Sequence, residues 1–163
     1  MHFFDTTTLL AYLAAASMLV LIPGPGTAWI VTQSIAGGTS RGVQAAFGLE
    51  TATLIHALAA GLGLSAVLAT SAFAFELLKY AGAAYLIWLG IKAWRRGRPS
   101  TDASAAPQPQ VSARSVYLRS VMTGVLNPKV ALFFLAFLPQ FVRPERGMVW
   151  LQFFILGVLL SMI

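Results

Sequence analysis

The sequence contains no cysteine and few acidic residues. None of its 163 residues is a cysteine, and five are Asp or Glu against eleven Lys or Arg. Without thiols the chain has neither disulfides nor thiolate metal ligands, and so few carboxylates disfavour a carrier of metal cations. The sequence also shows no nucleophile–base–acid set and no phosphate-binding loop. It therefore predicts neither an enzyme nor a bound cofactor or metal.

Charged residues of either sign are scarce. They make up 10% of the chain, whereas soluble domains carry about 25%, and the mean hydropathy is +0.77. This composition predicts an integral membrane protein. The formal net charge of +6 does not predict binding to nucleic acid, because the arginines cluster beside apolar segments, as the positive-inside rule expects.

Five apolar segments predict five membrane helices, since a crossing helix needs roughly 20 mainly apolar residues. They lie at about 9–35, 43–70, 73–94, 117–142 and 148–163. A short polar turn at 37–42 is predicted to separate the first two. The last segment reaches about 24 Å at 1.5 Å per residue, short of a hydrocarbon core of ~30 Å. We therefore expect that the chain stops inside its fifth helix and that its C-terminal part is missing.

The positions of Lys and Arg predict the orientation. Residues 99–113 are the only long polar segment, and their Ser, Ala, Pro and Gln predict a mobile cytoplasmic linker. Seven basic residues near helix ends then face the cytoplasm and three face outward, which predicts an external N-terminus. The predicted fold class is all-α, a polytopic membrane helix bundle forming one transmembrane domain over 1–163. Three helices before the linker favour a 3+3 inverted repeat.

Two interruptions within apolar segments are the main functional signal. Pro23-Gly24-Pro25-Gly26 removes backbone donors and loosens the first helix, and Asn127-Pro128-Lys129 interrupts the fourth. In hydrocarbon, freed carbonyl groups are tolerated only where protein or a water-filled cavity covers them. Paired interruptions in two halves point to a transporter's binding site. A simple proline kink is the alternative for the first break.

The two breaks are predicted to meet near the bilayer midplane and to form one site. Helix N-termini favour anions, so the amides around Thr27 and Val130 would face a substrate carboxylate. Lys129 would add positive charge, and Glu50 would meet the substrate ammonium. Trp29, Phe133 and Phe137 are candidates for apolar walls. The predicted substrate-binding residues are Pro23, Gly24, Pro25, Gly26, Thr27, Glu50, Asn127, Pro128 and Lys129.

Glu50 and His56 are the candidates for proton coupling. Glu50 lies nine residues past Arg41, about 13 Å into the helix, and a carboxylate at that depth is a functional candidate by default. The alternatives are a structural partner for a lysine such as Lys129, or a position near the interface. His56 can titrate near neutral pH and relay a proton, or it can simply hydrogen-bond inside the bundle.

Small residues at four-residue spacing are a packing signal. Gly48, Ala52 and His56 follow this spacing, as do Gly61 and Ser65, and it allows close contact between helices. The contact can lie within the bundle or between the copies of a homo-oligomer.

Several short motifs carry a resemblance to a known family. They are Pro23-Gly24-Pro25 in the first helix, Gly48, His56 and Gly63-Leu64 in the second, Gly82-Ala83, Tyr85-Leu86 and Gly90 in the third, and Leu126-Asn127-Pro128-Lys129, Phe133-Phe134 and Leu138-Pro139-Gln140-Phe141-Val142 in the fourth. The chain resembles the LysE/RhtB family of bacterial amino-acid exporters, the LysE-type translocators. Gly26 and Ala52 depart from the Asn and Gly that many members carry there.

The resemblance implies a multi-pass secondary transporter in the bacterial inner membrane. Its partners would be the lipid bilayer and a small-molecule substrate, an amino acid or a close derivative, exported in exchange for protons or another ion. It also implies six helices, of which this chain would lack the end of the fifth and all of the sixth. The alternatives are an exporter of another small metabolite and a non-transporting membrane assembly or scaffold module.

Overall fold

The computed structural model describes residues 3–71 and 112–163, and between them only positions 73, 74, 76, 77, 80, 81, 84, 87, 88, 91 and 95. Most of the third predicted helix and residues 99–111 of the predicted linker lie outside the described residues. The described helices are α1 (Thr6–Leu21), α2 (Pro25–Thr70), α3 (Ala113–Val125), α4 (Pro128–Leu132) and α5 (Val149–Ser161). The described residues contain no strand, which confirms the all-α class; the inverted repeat stays a prediction.

Two parts of the described chain qualify as membrane spans by length and composition. One is Pro25–Val67 within α2, and the other is α3 together with Pro128–Phe141, if this pair, bent by 46°, counts as one broken span. α1 and α5 are apolar but shorter. The broken pair corresponds to the fourth predicted helix, which the sequence predicts to be interrupted. The first predicted helix, 9–35, is not one span, because α1 ends at Leu21 and the span Pro25–Val67 begins after the break and continues into the predicted second helix.

α2 consists of two arms that fold back on each other at Gly37-Gly38. Gly38 has φ 71°, in the region that favours glycine. A Cβ on Gly42 would touch Ser34, and one on Gly26 would lie 3.5 Å from Leu49, so residues 25–36 and 39–70 run antiparallel. The predicted polar turn at 37–42 is too long, because the two glycines alone reverse the chain and residues 39–42 are already helical.

The second arm of α2 packs tightly against α3 through small residues. A Cβ on Gly48 would lie 2.5 Å from the Ser120 Cβ and 2.6 Å from the Tyr117 carbonyl oxygen. A Cβ on Gly124 would lie 2.5 Å from the Ala52 Cβ. The four-residue spacing of small residues in α2 therefore packs helices within this chain, one of the two readings that the spacing left open.

An aromatic core joins α1, α5 and the segment after α4. Tyr12 is fully buried and donates a hydrogen bond of 2.5 Å to the Leu156 carbonyl, and its ring lies 5.4 Å from that of Phe141.

The fourth predicted helix, 117–142, is not one helix. Beyond the break it changes to a π-helical turn at Phe133–Phe137 and a 3-10 turn at Leu138–Phe141, since Pro139 cannot donate to an α-helical ladder.

A polar clamp fixes the turn that leads into α5. The Gln152 amide donates to the carbonyls of Arg143 (2.9 Å) and Gly147 (2.7 Å), and its oxygen accepts from the Arg143 N–H (2.8 Å). Arg146 adds an ion pair of 3.6 Å with Asp5. Hydrogen bonds from Thr8 lower the pKa of Asp5, the N-cap of α1. The start of α1 and the turn before α5 are thereby tied together.

Candidate functional site

The first break separates α1 from α2 by three residues. α1 ends at Leu21 and α2 begins at Pro25, with Gly24 as an extended N-cap that supplies no side-chain hydrogen bond. The first backbone bond of α2 runs from the Ala28 N–H to the Gly24 carbonyl, at 3.0 Å. The N–H groups of Gly26 and Thr27 come before Ala28 in the chain. Like the first N–H groups of any α-helix, they have no hydrogen-bond partner within the helix.

The second break begins with an N-cap of its own. The side chain of Asn127, a buried residue, accepts a hydrogen bond from the Lys129 N–H at 3.1 Å. Pro128 occupies the first position of α4, where a missing N–H costs nothing. The residue types at this break therefore follow the usual rules for starting a helix.

The two breaks lie against each other, as the sequence predicts. The Lys129 ammonium donates hydrogen bonds to the Leu19 carbonyl, at 2.6 Å, and to the Ile22 carbonyl. A Cβ on Gly24 would lie 3.2 Å from the Lys129 side chain. Both acceptors belong to the carbonyl end of α1, where a basic side chain is favoured. Two of the three N–H donors of the Lys129 ammonium therefore bind the end of α1, and the expectation that Lys129 also offers its charge to the substrate stays a prediction.

A cavity of about 220 Å³ lies at this junction. It is smaller than the roughly 300–1,000 Å³ of drug-sized sites, which suits a small metabolite. Among the predicted site residues, Gly24, Gly26, Thr27, Glu50, Asn127 and Lys129 line the cavity, and Pro23, Pro25 and Pro128 do not. The rest of the lining is Leu19, Val20, Ile30, Leu49, Thr53, Gly124, Val130 and Leu160.

The expectation of aromatic walls is wrong, because the large apolar side chains in the described lining of this cavity are all aliphatic. Trp29 instead donates from its ring nitrogen to the Ser120 hydroxyl at 2.7 Å, between α2 and α3. Phe133 is buried in the aromatic core, and Phe137 packs on it with ring centroids 4.9 Å apart. Aromatic residue type alone does not set the direction of a side chain, which depends here on the arms of α2 and on the π-helical turn.

Glu50 lines the cavity but does not pair with Lys129. Its carboxylate accepts a hydrogen bond from the Ser161 hydroxyl at the end of α5, whereas Lys129 is bonded to α1. The predicted structural pair is therefore wrong. Glu50 is also exposed within the described chain, not buried in the bundle. Its charge is available to a ligand in the cavity.

His56 lies outside the cavity lining. Its ring nitrogen is 3.4 Å from the Gly124 carbonyl, and its ring stacks on Phe134 with centroids 5.9 Å apart. These contacts fit the hydrogen-bonding alternative better than a proton relay from the cavity.

Two polar residues at the site were missed by sequence reasoning. Thr53 lines the cavity three residues after Glu50, and Ser161 holds the Glu50 carboxylate. The helical spacing of i and i+3 was a signal for Thr53. Ser161 gave no signal, because its role depends on where α5 docks.

The comparisons with known proteins decide the family. The sequence pattern of the LysE type translocators matches residues 17–163. This chain belongs to the LysE type translocator family. It is therefore a membrane protein of a transporter family, as the motifs around the two breaks predict.

Relatives of this translocator match most of its length. It is 40% identical to the homoserine/homoserine lactone efflux protein of Salmonella typhimurium over 91% of this chain and 70% of the relative. It is 37% identical to a membrane protein of Vibrio cholerae, over 94% and 74%. It is 32% identical to the leucine efflux protein of Klebsiella pneumoniae, over 98% and 75%. No solved structure matches this chain significantly.

Proposed function

We propose that this translocator exports amino acids or close derivatives across the bacterial inner membrane. The observation that carries the proposal is the cavity between the two helix breaks, where the start of α2 and the Glu50 carboxylate line one small space. The efflux names of the Salmonella and Klebsiella relatives support the same substrate class.

The two charged groups of an amino acid match two polar features of the cavity lining, the start of α2 and the Glu50 carboxylate. The N–H groups of Gly26 and Thr27 stand at the positive end of the α2 dipole and suit the substrate carboxylate. Glu50 suits the substrate ammonium, because a charged acceptor forms the stronger kind of hydrogen bond. Leu19, Ile30 and Leu160 supply apolar contacts for the substrate side chain.

We propose Glu50 as the site of proton coupling. It is the only carboxylate in the described lining of the cavity, and protonation would cancel the charge that holds the substrate ammonium. Proton binding and substrate binding at Glu50 would then exclude each other, which is the condition for exchange.

A transport assay with a labelled amino-acid panel tests this function. The purified chain and a form extended by one further apolar span are compared in proteoliposomes. The extended form is expected to move at least one amino acid several-fold faster than protein-free liposomes, and the chain alone is expected to be slower, because a six-helix inverted repeat without its last helix should transport poorly. Gly26→Leu, which adds a side chain beside Leu49 in the cavity, is expected to lower this rate several-fold. The matched control Gly63→Leu, where a Cβ meets nothing within 4 Å, should transport normally.

The assay also separates the alternatives. Movement of another small metabolite but of no amino acid would favour a different exporter on this fold. No transport of any solute, together with copurification of a partner protein, would favour an assembly module.

We also propose a multi-pass topology with residues 99–113 in the cytoplasm and the N-terminus outside, following the excess of Lys and Arg. The chain is free of cysteine, so single introduced thiols can be labelled cleanly. Ser104→Cys is expected to react with an impermeant maleimide only after the cells are permeabilised, and the control Glu145→Cys is expected to react in intact cells. The opposite labelling pattern would reverse the topology.

A further inference from the structure

The carbonyl end of α1 resembles a cation site that is already filled. In transporters with broken helices, unwound backbone carbonyls and the C-terminal ends of half-helices coordinate a sodium ion or a proton. Here the carbonyls of Leu19 and Ile22 occupy such a position, and the Lys129 ammonium is hydrogen-bonded to both. The other break thus supplies the positive charge that these carbonyls require.

We propose that Lys129 is a tethered cation that takes the place of a bound sodium ion and holds α1 at the first break. This inference rests on the proposed transport function. Lys129 is then a positioning residue, which holds α1 in place. The N–H groups at the start of α2 bind the substrate carboxylate instead.

The surroundings of Lys129 support a structural charge rather than a ligand-binding one. Its stem passes close to Gly24, where a Cβ would lie 3.2 Å from the Lys129 Cδ. Glu50 is the one other ionisable group in the described lining of the cavity, and it accepts from Ser161 instead. The cavity lining from α1 and α5 is apolar, namely Leu19, Val20 and Leu160. No described anionic side chain therefore draws the ammonium away from the carbonyls of α1.

Thermal unfolding of the purified chain in detergent tests the tethered cation. Lys129→Ala opens the site, whereas Lys129→Met removes the charge but keeps a stem that fills it. Both are expected to lower the Tm by about 5 °C, because charge-assisted hydrogen bonds are lost. Sodium or ethylammonium chloride should restore at least half of the loss in Lys129→Ala, relative to choline chloride at equal ionic strength. Neither salt should restore Lys129→Met or raise the wild-type Tm.

Two results would overturn the proposal. One is an equal response of the Ala and Met variants to the small cations, which would mean that no site was vacated. The other result concerns the wild-type protein, so it does not depend on whether a variant folds. A sodium gradient that changes wild-type export by more than about twofold would show that the protein still uses a free sodium ion. Failure of all amino-acid transport would instead refute the proposed function, while the unfolding experiment would still decide the role of Lys129.

Discussion

Replacing Glu50 by Gln is expected to lower export against a gradient by about 10- to 100-fold. A hydrogen bond to a charged group contributes roughly 1.5–3 kcal/mol, and each 1.4 kcal/mol is a factor of about ten in affinity. The neutral amide would hold the substrate ammonium less tightly and would carry no proton. The amide oxygen can still accept from Ser161, the partner of Glu50, so the variant is expected to fold.

The measurement is export driven by a proton gradient in proteoliposomes, with Glu145→Gln as the matched control. Glu145 is exposed in the short turn before α5, away from the cavity, and its neutralisation should leave the rate unchanged. Exchange of substrate for substrate needs Glu50 to bind the substrate ammonium but does not need it to carry a proton. The exchange rate of Glu50→Gln therefore separates these two roles of Glu50. Normal export against the gradient by Glu50→Gln would make Glu50 a structural residue and refute this mechanism.

Local chemistry made the two breaks predictable. Pro23, Pro25 and Pro128 cannot continue an α-helical ladder, wherever the chain folds, and the sequence separation of the breaks indicated two spans. Their meeting also followed from the cost of open carbonyls in hydrocarbon. Five predicted residues at or next to the breaks therefore line one cavity, namely Gly24, Gly26, Thr27, Asn127 and Lys129, and this is the part of the site that backbone chemistry could place.

Side-chain partners were less predictable, because they depend on how distant helices dock. Lys129 lies ten residues past Arg119, and Glu50 nine residues past Arg41, so the two have similar predicted depth along their helices. Lys129 nevertheless bonds to the end of α1, and Glu50 to Ser161 of α5. Trp29 bonds to Ser120 because the two arms of α2 fold back at Gly37-Gly38. Depth along a helix is a one-dimensional quantity, and it does not give the direction in which a side chain points.

Gln152 gave no sequence signal beyond being a polar residue in an apolar helix, yet it is fully buried. Replacing it by Leu is expected to destabilise the protein by about 2–4 kcal/mol. Three hydrogen bonds to the backbone of Arg143 and Gly147 are lost, and an unsatisfied buried group costs about 1–3 kcal/mol. At about 2–4 °C per kcal/mol for a chain of this size, the Tm should fall by roughly 5–15 °C.

Thermal unfolding in detergent measures this loss, and Gln140→Leu is the matched control. Gln140 is exposed and makes a hydrogen bond of 3.1 Å to the Ala136 carbonyl one turn earlier, so its replacement should change the Tm little. Equal Tm values for the two variants would mean that the turn at 143–147 holds without its clamp. A lower Tm for Gln152→Leu than for Gln140→Leu would instead show that Gln152 fixes the start of α5. The position of α5 matters for the site, because this helix brings Leu160 to the cavity and Ser161 to Glu50.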